Sequence, residues 1–450
     1  MKYYLRRFAQ SLNMSLDRYI PDSFLFAVLL TFIILIMGVT LAGKGLFQMI
    51  EFWYQGFWGF LTFGMQMVLM IVTGYTLATT PLVNKVLTKF LTIPKTSLGA
   101  AIFIFVITAI LSFIHWGFGL IVGALLAPRL GKSIEKLDFK FLVASSYLGW
   151  CIGALGLSIS IALLVNTPGH FLEKTIGIIP QTKTSLHPSI LLTTIGSIFI
   201  IAPALLWLLH PAEKDIPKID DKVKARFDEA IANDSMVDDS DEEKTFATMI
   251  ENSVIITVLL SLMGISFCVN WFATKGFDIQ LNFFNFFMLF AGIALHGTPK
   301  KFYTNFQEGV KLTWGIVLQF PFYAGIQGMM NLSGLVPIMV SWFIAISTPE
   351  TFPFWTYISS SIVNFFIPSS GGILLVQGPV MIDAGLKLGL TPDQVLRPFM
   401  VGEQISNLIQ PFFAIPLLAM AGMKMKDIMG YCILFFLVFS VVYNLGFIIF

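Results

Sequence analysis

NFFIPSSGGILLVQGP, Asn364 to Pro379, has the apolarity of a membrane core, carries no charge, and is interrupted by Pro-Ser-Ser-Gly-Gly. Proline removes a backbone donor and clashes with the preceding turn, while paired glycines favour no single backbone state. A helix entering this stretch therefore ends near Pro368 and a new one starts after it. Non-helical backbone at bilayer depth persists only where it is buried in protein or lines a wet cavity, because each unpaired amide in hydrocarbon costs several kcal/mol. The surrounding apolar segment, 354–382, is about 30 residues long, too long for one untilted helix and too short for two complete crossings. It reads as a re-entrant hairpin whose tip faces such a cavity. Residues 98–128 have a similar length and a break in SFIHWGFG, Ser112 to Gly119, and read as a second hairpin.

The 450 residues are 56% hydrophobic, 14% aromatic and only 12% charged, a balance that no water-soluble core could bury. Full spans are expected at 22–43, 57–80, 141–166, 189–210, 253–273, 283–298, 312–332, 398–422 and 428–449. The fold class is an all-α polytopic membrane protein, with about nine transmembrane helices plus two re-entrant hairpins. No alternating ten-residue pattern suggests an outer-membrane barrel. The formal charge of +2 forms no solvated basic patch, so the lipid bilayer is a partner and nucleic acid is not. At the start of the chain Leu5, Phe8, Leu12, Leu16 and Tyr19 fall opposite Lys2, Arg6 and Arg7, which suits an interfacial helix ahead of a retained first span. Cys151, Cys268 and Cys432 lie far apart in apolar segments and indicate neither a disulfide framework nor a metal cluster; no cofactor is expected.

Lys and Arg accumulate on the cytoplasmic side, and both flanks of a re-entrant hairpin share one side. The first hairpin is flanked by Lys85, Lys89, Lys95, Arg129, Lys132, Lys136 and Lys140, the second only by Lys387 and Arg397. The first therefore opens to the cytoplasm and the second to the outside. With the N-terminus cytoplasmic, only Lys44, Lys174, Lys183, Lys275, Lys387 and Arg397 of the 28 basic residues fall outside. Nine crossings then place the C-terminus outside. The hydrophilic stretch 211–252 is a cytoplasmic linker with a short stripe of Val223, Phe227 and Ile231 and capping-box spacing in SDEE, Ser240 to Glu243. It separates an N-terminal repeat, 1–210, from a connecting helix and outer loop, 253–282, and a C-terminal repeat, 283–450. LTFG at Leu61 to Gly64 recurs as LTWG at Leu312 to Gly315, and Phe113, Gly119 and Ile121 recur as Phe365, Gly371 and Ile373. Repeats of opposite topology are the inverted repeat of many secondary transporters.

At the second tip Ser369, Ser370, Gly371 and Gly372 present backbone N–H groups at a helix N-terminus, which attracts anions. The same logic applies to Ser112, His115, Trp116, Gly117 and Gly119 at the first tip, although glycines at breaks also serve close helix packing. In GEQISNLIQPFFAIP, Gly402 to Pro416, the residues Glu403, Ser406, Asn407 and Gln410 share one helical face, and Pro411 and Pro416 free carbonyls for a cation or for water. An acidic side chain at a helix centre costs about 2.5–3.5 kcal/mol, so Glu403 needs a partner, a proton or a function. Glu403, Asn364 and Ser112 are the ion-coupling candidates; a proton suits Glu403, and sodium suits oxygens near Asn364, Ser369 and Asn407. His115 either carries a proton or hydrogen-bonds a carbonyl, and Gln377, like Gln66, Gln319 and Gln327, lines the cavity or ties helices. No Lys or Arg lies within a predicted span or hairpin arm, which favours a small monoanion over a dianion.

With NFFIPSSGGILLVQGP and GEQISNLIQPFFAIP, the stretches FGMQMVLMIVTGYTLA, LQFPFYAGIQ and HWGFGLIVGALLA resemble the bacterial short-chain fatty acid transporter family, within the wider ion transporter superfamily. The similarity covers nearly the whole chain. It implies uptake of acids such as acetoacetate and butyrate across the inner membrane by an ion-coupled, elevator-like carrier, with a homodimer as a further expectation. By position it implies a site at Ser369, Ser370, Gly371, Gly372, Gln377, Glu403, Asn407 and Gln410. His115 departs from the family, which more often has Asn before Trp-Gly, and this argues against an obligatory proton relay there. A carrier of another carboxylate or dicarboxylate, a channel, and an intramembrane hydrolase using Ser369 or Ser370 with His115 are the other readings; the last lacks a G-x-S-x-G signature.

Overall fold

The computed structural model describes residues 23–211, 216, 245–410 and 412–450. The N-terminal interfacial stretch, most of the 211–252 linker with its stripe and SDEE motif, and Pro411 lie outside the described residues. Among the described residues every regular element is helical. In chain order the helices are α1 Ser23–Thr40, α2 Leu46–Phe57, α3 Leu61–Ala78, α4 Pro81–Phe90, α5 Ser97–Ile114, α6 Trp116–Ser133, α7 Phe139–Gly153, α8 Ser160–Val165 and α9 Pro188–Leu209. Beyond the linker come α10 Val254–Lys275, α11 Leu281–His296, α12 Pro299–Lys311, α13 Trp314–Ser333, α14 Leu335–Ile346, α15 Phe352–Phe366, α16 Ser370–Lys387, α17 Pro392–Ser406, α18 Ile415–Ala421 and α19 Met425–Ile449. Single helical turns at Glu173–Ile176 and Phe246–Glu251 are left unlabelled.

Among the described residues five helical stretches are long and apolar enough to cross a membrane, or six if the pair α13 and α14, bent by 84°, is counted as one broken span. The chain is a multi-pass membrane protein. Two of the runs expected as single spans are divided: 141–166 into α7 and α8, and 398–422 into α17 and α18. A hydropathy window reads across such breaks because their residues stay apolar. Backbone bonding shows them, since Leu157 N–H in the first break donates to Phe113 O of the hairpin tip. The sharp turn between α13 and α14 is made at Gly334, whose φ of +85° is accessible chiefly to glycine.

Element order repeats: α3–α9 has its counterpart in α13–α19, and α1–α2 in α11–α12. Partners repeat as well. α1 and α2 pack on α13 while α11 and α12 pack on α3; α7 packs on α5 as α17 does on α15; and α8 and α18 each pack on the hairpin arm of the other half, α16 and α6. The α5/α7 seam depends on Gly149 and Gly153, where an added Cβ would run into the carbonyl oxygens of Phe105 and Ala109. Gly402 plays the same part against Tyr357 in the α15/α17 seam. Small residues let helix backbones approach closely where apolar burial alone, in lipid, provides no drive to associate.

Both helix-break-helix segments fold back on themselves. A Cβ on Gly119 would lie 2.5 Å from Ser112 N, and one on Gly123 would lie 3.1 Å from Thr108 Oγ1, so numbering rises along α6 as it falls along α5. In the second, Gln377 donates to Ser359 and a Cβ on Gly385 would lie 3.1 Å from Phe352, the same antiparallel register about Pro368.

Candidate functional site

The first tip is organised by His115, which caps α6. Its Nδ1 accepts hydrogen bonds from Gly117 N at 3.1 Å and Phe118 N at 3.2 Å, satisfying first-turn donors that have no intrahelical partner. The ring is fully buried against Phe284. Accepting from amides is a role beyond the two the sequence offered, and Asn is equally suited to it. Ser112 and Gly119 pack on each other inside the hairpin, and Gly117 lies beside the His115 ring. Trp116 is bound more firmly: its N–H donates to Ser158 Oγ at 2.8 Å and its carbonyl accepts from Trp150 Nε1 at 3.1 Å.

At the second tip Ser369 Oγ caps α16, accepting from Gly372 N at 3.3 Å, and Ser370 Oγ donates to Glu403 Oε1 at 2.9 Å. Asn364, buried at the end of α15, donates through Nδ2 to Glu403 O at 2.9 Å, Ser406 Oγ at 2.9 Å and Asn407 Oδ1 at 2.8 Å. Asn407 Nδ2 reaches Glu403 Oε1 at 3.5 Å. Asn364, Ser370, Glu403, Ser406 and Asn407 thus form one polar cluster on α15, α16 and the end of α17. Glu403 is 0% exposed, and among the described residues it has no cationic partner. Glu403 Oε2 and Asn364 Oδ1 are buried acceptors with no partner among the described residues. Such oxygens suit a hard cation or a proton, and no group of three His, Cys, Asp or Glu among the described residues offers a transition-metal site. Gln377 ties the two hairpin arms together, and Gln410 accepts from Phe412 N at 3.0 Å. Of the carbonyls freed by the two prolines, that of Asn407 accepts from the Tyr147 hydroxyl of the other half of the chain at 2.6 Å, and the same hydroxyl lies 3.3 Å from Gln410 O.

Between the tips lies a cavity of about 40 Å³, room for about three water-sized groups. Pro368, Ser369, Ser370 and Gly371 border it from the second tip and Trp116 from the first. Ser160, Gln319 and Gln404 add polar groups, Trp150, Phe412 and Phe413 add aromatic rings, and among the described residues no charged side chain lines it. Ring contacts join Trp116, Phe413 and Trp150 into one wall, with centroids 5.8 Å and 5.2 Å apart about Phe413. The indole N–H of Trp116 has no partner among the described residues.

The sequence description "short chain fatty acid transporter" matches residues 4–450. The chain belongs to the short-chain fatty acid transporter family. It is 34% identical over 443 residues to an Escherichia coli K12 member, with 98% of each chain covered, and 34% identical over 436 residues to one of Haemophilus influenzae, covering 95% and 96%. Both relatives carry, provisionally, the name of short-chain fatty acid transporter. The fold is similar to that of the YdaH transporter of Alcanivorax borkumensis, at TM-score 0.56 and 14% identity over 94% of this chain and 98% of that one. It is also similar to that of MtrF of Neisseria gonorrhoeae, at TM-score 0.57 and 15% identity over 98% and 96%. At such identity the likeness concerns fold alone.

For this member of the family the tertiary structure brings Ser369, Ser370 and Gly371 to the cavity and places Glu403, Asn364 and Asn407 behind them. Ser112, His115, Gly117, Gly119, Gly372, Gln377 and Gln410 do not line it. Trp150, Ser160, Phe412 and Phe413 were not anticipated. A signal existed for them: Trp150 and Ser160 flank the break between α7 and α8, whose counterpart is the break between α17 and α18 that holds Phe412 and Phe413.

Proposed function

We propose that the protein takes up short-chain carboxylates, such as acetoacetate and butyrate, across the bacterial inner membrane by cation-coupled symport. The observation that carries this is the cavity between two hairpin tips, uncharged among the described residues, with hydroxyls and a helix N-terminus from one tip and an aromatic wall that joins Trp116 of the other tip to Trp150 and Phe413. A short fatty acid has the matching halves. Its carboxylate is served by the first-turn N–H groups of α16 at the cavity, and its alkyl tail by Trp116, Trp150 and Phe413. A dicarboxylate would bring a second charge into a wall that offers no cation, which disfavours the alternative substrate class. In this reading the two antiparallel segments are re-entrant hairpins inserted from opposite faces, the repeats are inverted, and substrate moves elevator-like with the hairpins. The coupling cation is sodium or a proton held by Glu403 and Asn364. Purified protein in proteoliposomes, given labelled butyrate under an imposed sodium or proton gradient in separate trials, is expected to accumulate it under one of them. No uptake under either overturns the proposal. Orientation is tested separately: with a cytoplasmic N-terminus and nine crossings, a C-terminal reporter fusion is expected to be active outside, and an active cytoplasmic reporter overturns that topology.

A further inference from the structure

We propose that Phe413 is the residue that limits acyl chain length, and that Gly315 supplies the space in which the permitted tail lies; this rests on the carboxylate reading above. Phe413 stands at the junction of the aromatic wall. Its ring contacts Trp116 of the first tip, Trp150 of α7 and, edge-on at 5.2 Å, Phe412. The Trp150 ring is buried and fixed by the hydrogen bond from its Nε1 to the backbone carbonyl of Trp116, whereas Phe413 is only part-buried and sits on the single turn Phe412–Ala414 in the break before α18. Gly315 borders the same cavity from α13, and a Cβ there would lie 3.2 Å from the Phe412 ring. A methyl group at Gly315 would therefore take up room facing the rings, and removal of the Phe413 ring would open it. With about 40 Å³ available, each added methylene presses on these walls, and a tail longer than that of butyrate has no place until one of them gives way.

The experiment measures inhibition of labelled acetate and butyrate uptake by unlabelled acids of two to eight carbons in proteoliposomes. Each methylene newly accommodated is worth about fourfold in affinity. Phe413→Ala is thus expected to raise the apparent affinity for hexanoate relative to butyrate by more than about tenfold, while Gly315→Ala lowers that for butyrate relative to acetate. Phe413→Leu keeps an apolar wall should the alanine variant fail to fold, and is expected to shift the preference in the same direction by a smaller factor. Detergent-solubilised variants are also compared by the rise in unfolding temperature that hexanoate and butyrate produce, a readout of binding without transport. A folded Phe413→Ala or Phe413→Leu protein with the wild-type length preference overturns the assignment of Phe413. Wild-type protein that neither transports nor is stabilised by any of the acids overturns the carboxylate reading itself.

Discussion

Glu403→Gln is expected to abolish gradient-driven accumulation, lowering the steady-state ratio of internal to external substrate by about a hundredfold or more, while folded protein remains in the membrane. The magnitude follows from burial. An uncompensated ion in a protein interior costs several kcal/mol, and about 2.7 kcal/mol corresponds to a hundredfold in an equilibrium constant. Glu403 is fully buried, and its charge is met by the Ser370 hydroxyl at 2.9 Å and by the longer approach of Asn407. A cation must therefore accompany the carboxylate whenever it is ionised, or a proton must neutralise it, and under the proposed symport this requirement is what would couple substrate movement to an ion. Gln has the same shape and can still accept from Ser370, but it carries no charge to neutralise. Downhill exchange of labelled for unlabelled butyrate should persist in the variant, and accumulation should not. Full accumulation by a folded Glu403→Gln protein would remove Glu403 from the coupling step.

Gly153→Leu is expected to prevent the N-terminal half from assembling. A Cβ at this position would overlap Ala109 O and lie 2.8 Å from both Ala109 C and Cα. Those are backbone atoms of α5, which cannot rotate away as a flexible side chain can. Overpacking a core commonly costs about 1–3 kcal/mol where side chains can adjust; here two helices would have to separate along the seam that positions the first tip. Size-exclusion profiles of detergent-solubilised protein should show aggregation or loss of yield. Gly196→Ala provides the contrast, since Gly196 lies inside α9 with nothing within 4 Å of its added Cβ. There the exchange should be neutral or stabilise by up to about 1 kcal/mol, as expected for glycine replaced within a helix. A monodisperse Gly153→Leu protein with normal butyrate uptake would show that the α5/α7 seam is looser than its geometry implies.

The two glycines differ in a way that sequence does not display. Both lie in apolar segments, and only the partner across the seam separates one that is indispensable from one that is not. The same holds for the tips. HWGFG and PSSGG are each legible as helix breaks, yet one places a capping imidazole inside a hairpin while the other places serines at a cavity and against Glu403.

Local chemistry, readable along the chain, determined the membrane class, the helical architecture, the two interrupted segments and the polar face carrying Glu403 and Asn407. Hydropathy, proline, glycine and helical spacing act over a few residues, so their consequences appear in order. Only the tertiary structure decided that Trp116, Trp150 and Phe413 share one wall, that Tyr147 closes the carbonyls of Asn407 and Gln410, and that Asn364 and Ser370 meet Glu403. Those neighbours come from separate helices whose backbone approach is set by packing at Gly149, Gly153 and Gly402, and contact across such a seam leaves no periodic trace in either strand of sequence.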